Sequence, residues 1–301
     1  MIITKLDQMF EALKGKDKKR LVGAWAVDTH TIDAINQAVN MGIVNATLVG
    51  DEKLIQEVCE QENIDIKNFI VVHADTDIEA AAKAVALINA GEGDILMKGL
   101  ISTDKYMHAI LNKENGLLTP KAILSHVSVI ENPNYHKLII CGDVAVLPLP
   151  DLKQKIAITN YLIQAAKALG IEQPKVAVIA ASEQVLPSMP ASVDATILSK
   201  MAERGQIKGA KIEGPLALDL AIDMESVKIK KIQSEVAGDA DCLLFPNIEA
   251  GNVFYKTNTK LAGAELGAIV AGAKAPAILS SRGDSIKTKL YSIALSALIA
   301  K

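Results

Sequence analysis

The sequence predicts an α/β fold of parallel strands joined by crossover helices. Two observations carry that prediction. Short β-branched or apolar runs alternate with longer stretches whose apolar residues recur at helical spacing, an order that implies strands and helices layered around a shared core. Half of the residues are hydrophobic and only 22% are charged, which is enough apolar material for a large interior. The 301-residue length implies two domains, at roughly 100–200 residues for each.

The elements follow in order. Residues 21–27 read as a strand, and 31–41 as a helix with Ile32, Ile35, Ala38 and Val39 at helical spacing. Residues 46–49 form a second strand closed by Gly50, and Asp51 is suited to cap a helix carrying Leu54, Ile55 and Val58 on one face. A strand at 69–72, a helix through 79–89 and a strand at 94–97 continue the pattern. The exit Lys98-Gly99-Leu100-Ile101-Ser102-Thr103 leads into a helix over 104–111. The rhythm changes near Lys121. Residues 122–130 and 138–146 are two extended runs joined by the short turn Asn132-Pro133-Asn134-Tyr135, which reads as an antiparallel pair and the entry to a second domain. A long helix over 152–169 ends at Gly170. The α/β rhythm then returns: strand 176–179, helix 191–203, strand 243–245, helix 249–261, strand 277–279 and helix 286–299. The expected domains are 1–122 plus 276–301, and 123–275.

Charge and composition exclude several classes. A net charge of −3 gives no electrostatic reason to bind nucleic acid or an anionic membrane. The cluster Lys14, Lys16, Lys18, Lys19 and Arg20 contains no aromatic residue and reads as a solvated helix end. Cys59, Cys141 and Cys242 show no C-x-x-C spacing, which argues for a reducing compartment. The first residues lack a basic segment followed by an apolar one. No uncharged apolar run reaches the about 18–20 residues that span a bilayer. The expectation is a soluble, cytoplasmic chain. His30, His73, His108, His126 and His136 show no metal spacing, and no third ligand stands near Asp239 and Asp241. No dinucleotide-type G-x-G-x-x-G, P-loop or G-x-S-x-G elbow occurs.

In open parallel sheets the ligand sits beyond the carboxyl ends of the strands. That rule selects the loops at 98–103, 246–256 and 280–285. In the last, the apolar run Ala277-Ile278-Leu279 stops at Ser280-Ser281-Arg282-Gly283-Asp284-Ser285 and a helix follows at once. Hydroxyls, a guanidinium and helix N-terminal amides then converge on one point, a site for a tetrahedral anion such as phosphate. Arg282 would grip the anion with Ser281 and the amides near Gly283, where glycine permits close approach or positive φ. The alternative is that Arg282 only clamps the loop through Asp284. Lys98, with the hydroxyls of Ser102 and Thr103, would add a second cation and further donors; the alternative is a surface lysine and an ordinary N-cap.

The segments Met97-Lys98-Gly99-Leu100-Ile101-Ser102-Thr103, Met189-Pro190-Ala191-Ser192-Val193-Asp194-Ala195, Gly214-Pro215-Leu216-Ala217-Leu218-Asp219, Val236-Ala237-Gly238-Asp239-Ala240-Asp241, the 246–256 loop and Ser281-Arg282-Gly283-Asp284-Ser285 span most of the chain. In this order they resemble the phosphate acetyl/butyryl transferase family, and its butyryl branch most closely. The resemblance implies a two-domain, three-layer αβα fold like that of the isocitrate/isopropylmalate dehydrogenases, with the active site in the cleft between domains. It implies exchange of a short-chain acyl group between coenzyme A and inorganic phosphate (butyryl-CoA + phosphate ⇌ butyryl phosphate + CoA), with acetyl-CoA as the alternative substrate. It further implies no metal, no bound cofactor and a homo-oligomer. Carried onto this chain, the catalytic residues are Ser281, Arg282 and Asp284. The phosphate would meet Lys98, Gly99, Ser102, Thr103, Ser281, Arg282 and Gly283. Coenzyme A and the acyl group would meet Asn247, Glu249, Gly251, Asn252 and Lys256. For part of that last set, helix capping by Asn247 and a tight-turn glycine are the alternatives.

Two departures bear on mechanism. The acetyl branch uses further arginines in the first domain, whereas residues 1–120 contain only Arg20, outside any of these loops. The acetyl branch also carries an aspartate in the last helix where this chain reads Ile286-Lys287-Thr288-Lys289. Asp284 is then the nearest carboxylate, either as base for the thiol or as a helix cap that orients Arg282. Two other readings stand beside the transferase. A metal- and NAD(P)-dependent decarboxylating dehydrogenase of the same fold would need an Asp cluster and substrate-binding arginines. A binding module without catalysis would release no CoA.

Overall fold

The computed structural model describes residues 1–280 and 283–300; Ser281 and Arg282, the centre of the expected anion site, lie outside the described residues. The chain divides into two compact units. The terminal unit comprises Asp7–Leu124 with Gly267–Lys301, and the central unit Met1–Leu6 with Ser125–Leu266. The sequence reading sets the changeovers at 122/123 and 275/276. The first six residues join the central unit because Ile3 N donates to Leu169 O and Leu6 N to the Glu131 carboxylate.

The first stretch of the terminal unit runs α1 (Gln8–Leu13), β1 (Lys19–Ala24), α2 (Thr29–Asn40), β2 (Val44–Gly50), α3 (Glu52–Gln61), β3 (Phe69–His73), α4 (Asp77–Asn89), β4 (Ile95–Lys98) and α5 (Thr103–Leu111). Polar side chains start α2, α3, α4 and α5: Asp28, Asp51, Thr76 and Ser102 each accept a hydrogen bond from a first-turn amide. β1 is shorter than the predicted strand because Trp25, at φ 55°, turns the chain out of the sheet.

The central unit contributes β5 (Ser125–Glu131), β6 (Ile139–Gly142), α6 (Leu152–Ala168), β7 (Lys175–Ile179), α7 (Pro190–Glu203), β8 (Lys211–Leu216), α8 (Leu218–Ile222), α9 (Met224–Lys230), β9 (Cys242–Leu244) and α10 (Ile248–Lys260). Its strands lie in the order β5-β6-β9-β7-β8. β5 and β6 pair antiparallel, as their short connection predicts, and β6, β9, β7 and β8 run parallel.

The chain then returns through β10 (Glu265–Ala271), β11 (Ala277–Ile278) and α11 (Ile286–Ile299). In the terminal unit the order is β3-β2-β1-β4-β11-β10, parallel except for β10 against β11. Helices cover the sheet: α11 packs on α2 and α1, and α4 packs on α5, β1 and β2. Residues Lys289 through Ala297 are all buried, so the apolar last helix is an internal one. It clasps β10 closely. Gly267 leaves no room for a Cβ against the Tyr291 backbone, which would stand 2.8 Å away, and Ala268 N donates to Ser292 Oγ at 3.0 Å. The sequence reading has no β8, β10, α1, α8 or α9.

Candidate active site

Strand order in the terminal unit places its site. The chain steps outward from β1 to β2 and β3, then crosses to β4 on the other side of β1. The point of reversal, beyond the carboxyl ends of β1 and β4, is where parallel sheets leave a ligand crevice. β11 lies on the far side of β4, so the exits of β1, β4 and β11 stand side by side.

Lys98 is the last residue of β4 and sits opposite Ala24 of β1. It is buried, at 3% exposure, with Nζ 3.3 Å from Gly99 O. The surface-lysine alternative is therefore corrected: strand pairing draws the side chain inside. Gly99 is required by its neighbour, since a Cβ would lie 2.2 Å from the Trp25 carbonyl oxygen. Gly99 N and Leu100 N donate to Ala24 O and Trp25 O, both at 2.9 Å, and so lock the two exits together. Ser102 caps α5 by accepting from Lys105 N at 3.3 Å. Capping uses an oxygen lone pair and leaves the hydroxyl proton as a donor. Thr103 is exposed at the first position of α5.

The third exit leads into the loop at 280–285, of which Ser280 and residues 283–285 are described. The N-cap of α11 is Ser285, which accepts from Thr288 N at 3.1 Å. Gly283 is exposed, and a Cβ there would meet nothing within 4 Å. Two groups that sequence reasoning did not select also lie here. Lys289, 3% exposed on α11, donates to Ser280 Oγ at 3.0 Å. Burial pushes its ammonium below the ordinary lysine range, while the charges of Asp28 and Asp284 pull it back up. Asp28 caps α2 through Oδ1, which accepts from Thr31 N at 3.0 Å. The only signal for Lys289 in the sequence is a lysine abutting the apolar run that begins at Leu290.

In the central unit, the loop after β6 is built around a residue the sequence reading passed over. The carboxylate of Asp143, 2% exposed, accepts from Ser125 Oγ and from the amides of His126, Ala145, Val146 and Leu147 at 2.7–3.2 Å. α10 docks on this loop. A Cβ on Gly251 would lie 2.3 Å from Asp143 O, so the glycine answers to protein backbone rather than to a ligand. Asn252 Nδ2 donates to Val144 O at 3.0 Å, and Asn247 caps α10 by accepting from Ala250 N at 3.0 Å. Glu249 and Lys256 are exposed on the same helix. Tyr255 packs edge-on to buried His126, with ring centres 6.2 Å apart.

The remaining candidates resolve into structure. Asp239 is bound by Lys137, Lys175 and His136, and Asp241 by Lys137. Among the described residues no group of three or more His, Cys, Asp or Glu is arranged to hold a metal ion. None of their helices is long and apolar enough to cross a membrane. The three cysteines are buried free thiols. Burial raises the pKa of each, which makes them poor nucleophiles at neutral pH.

A doubly wound α/β enzyme with two buried lysines beneath its carboxyl-end loops is the class this geometry describes. Residues 72–297 match the family described as Phosphate acetyl/butaryl transferase. The chain belongs to that family of acyltransferase enzymes. It is 44% identical over 299 residues to the phosphate butyryltransferase of Clostridium acetobutylicum, covering 99% of each chain. It is 42% identical over 295 residues to the phosphate acetyltransferase of Thermotoga maritima, covering 98% of this chain and 99% of that one. Among solved structures, a branched-chain phosphotransacylase from Enterococcus faecalis V583 aligns with a TM-score of 0.80 and 30% identity over 94% of this chain and 100% of that one.

Proposed function

We propose that this enzyme exchanges a butyryl group between coenzyme A and inorganic phosphate. The observation that carries the reading is the 44% identity to a phosphate butyryltransferase along 99% of both chains. A phosphate oxygen attacks the thioester carbonyl, the tetrahedral oxyanion collapses with cleavage of the C–S bond, and CoA leaves as thiolate and takes up a proton. In reverse, the thiolate attacks the acyl phosphate and phosphate departs.

Arg282 and Ser281 hold the phosphate in this proposal, with the backbone at Gly283, and Lys98 supplies a second cation. The buried setting of Lys98 supports that part, because a cation shielded from water interacts more strongly with an anion. The Ser102 and Thr103 hydroxyls add donors at the same strand end, where Gly99 brings the exits together. Asp284 is the carboxylate assigned to the thiol proton, as the acid nearest Arg282 in the sequence. On the central unit, exposed Glu249 and Lys256 are assigned to coenzyme A. Asn247, Gly251 and Asn252 shape the surface that presents them.

The identity to a phosphate acetyltransferase favours acetyl-CoA as the second reading. Initial rates of CoA release from acetyl-, propionyl-, butyryl- and isobutyryl-CoA, with and without phosphate, separate the two. Butyryl-CoA is expected to give the highest kcat/KM. Absence of phosphate-dependent CoA release from all four would refute the transferase reading. A homo-oligomer in the cytoplasm completes the proposal, and light scattering on the purified protein tests the assembly.

A further inference from the structure

We infer that Lys289 is a positioning residue for the anion loop: it fixes Ser280, the residue immediately before Ser281, and places a buried positive charge at the foot of the turn proposed to close on phosphate. The inference rests on the phosphate-transfer reading and adds to it a residue from the body of the last helix.

Lys289 stands where an apolar residue would be expected. It follows one helical turn after the cap, with its amide donating to Ser285 O, and Leu290, Tyr291, Ile293, Ala294 and Leu295 after it are all buried. An ammonium in such a place is costly unless its charge is compensated. Its Nζ is spent on the hydroxyl of Ser280, itself only 6% exposed, at the point where β11 gives way to the loop. Asp28 and Asp284 both act on the Lys289 charge. They come from the exit of β1 and from the loop after β11, and both favour the charged form of the lysine. The polar crowding is incompletely resolved: Asp28 Oδ2 and Thr31 Oγ1 are buried with no hydrogen-bond partner among the described residues. A lysine placed purely for packing would gain nothing from this arrangement.

The supply of cations points the same way. Arg20, the one arginine in the first 120 residues, pairs with Asp94 at the amino end of β1. Among the described residues, Lys98 and Lys289 bring buried positive charge to the carboxyl end of this sheet.

The test uses the full-length protein and the variants Lys289→Met, Lys289→Arg and Ser280→Ala. Two quantities are read: KM for phosphate against KM for butyryl-CoA, and the rise in melting temperature as inorganic phosphate is titrated in. Lys289→Met is expected to raise the phosphate KM, and the phosphate concentration giving half the thermal shift, by roughly tenfold or more. The butyryl-CoA KM should stay within about twofold, since lost phosphate contacts leave other binding intact. Lys289→Arg should recover part of the loss, and Ser280→Ala should move both readings in the Lys289→Met direction. An unchanged phosphate response in Lys289→Met, or an equal rise in both KM values, overturns the inference. Should Lys289→Met fail to fold, an unchanged phosphate response in Ser280→Ala overturns it instead. A wild-type protein that releases no CoA from any acyl-CoA refutes the transferase reading alone, because the thermal titration still decides the role of Lys289.

Discussion

Arginine presents a planar fork of donors that matches two phosphate oxygens at once, which neither lysine nor a hydroxyl can reproduce. Arg282→Ala should therefore lower kcat/KM for phosphate by at least about 1.5–3 kcal/mol, the worth of a hydrogen bond to a charged group, or roughly 10- to 150-fold. Initial rates with phosphate as the varied substrate check this, and near-wild-type values exclude the role. Asp284→Asn removes the proposed proton acceptor while keeping the shape of the side chain. In the acylation of CoA by butyryl phosphate, where the thiol must lose its proton, kcat should fall by about 100-fold or more; a wild-type rate takes Asp284 out of the base role. At this scale the sequence shows which residues stand at strand exits, because chain order alone places them there. It does not show that Lys98 and Lys289 are buried. Their burial arises from β1 and α2, whose residues are far from them in sequence.

Helix α10 and the loop after β6 depend on each other through backbone contact. Gly251→Ala would put a methyl carbon 2.3 Å from the Asp143 carbonyl oxygen, so one of the two must move. The expected cost is about 1–3 kcal/mol, as for other overpacked interiors, read as a lower midpoint in urea unfolding; an unchanged midpoint contradicts the contact. Asp143→Ala strips the acceptor from five donors. At about 1–3 kcal/mol for each buried donor left unpaired, here Ser125 Oγ and the His126 amide, it should be at least as damaging by the same assay. The cap of α10 by Asn247 was legible, since Asn before an amphipathic run has few other uses. The reason for Gly251 was not, because the atom that forbids a side chain belongs to a residue over a hundred positions away.

For the molecule as a whole, the ion cluster of the central unit should contribute to the loss of stability in acid. Burial works against ionisation of Asp239, but hydrogen bonds from Lys175, Lys137 and His136 overcome it and hold the carboxyl well below its usual range. A lowered folded-state pKa gives stability that is complete above the unfolded value of about 3.9 and is lost as pH falls through the folded one. Asp239→Asn should therefore flatten the dependence of the urea midpoint on pH below about 4. A wild-type slope in the variant would exclude Asp239 as its source, and partial exposure of the cluster keeps the effect modest. By itself the sequence determined the α/β rhythm, the antiparallel β5–β6 pair, most helix starts and which loops stand at the strand exits. Those features depend on side-chain periodicity and on residues within a few positions of one another. Only the tertiary structure decided that the last helix is internal, that β8 and β10 are strands, that Gly99 and Gly251 yield to distant carbonyls, and that Lys289 is buried with its ammonium on Ser280. Each of those outcomes turns on atoms brought together by packing, and proximity of that kind leaves no trace in spacing along the chain.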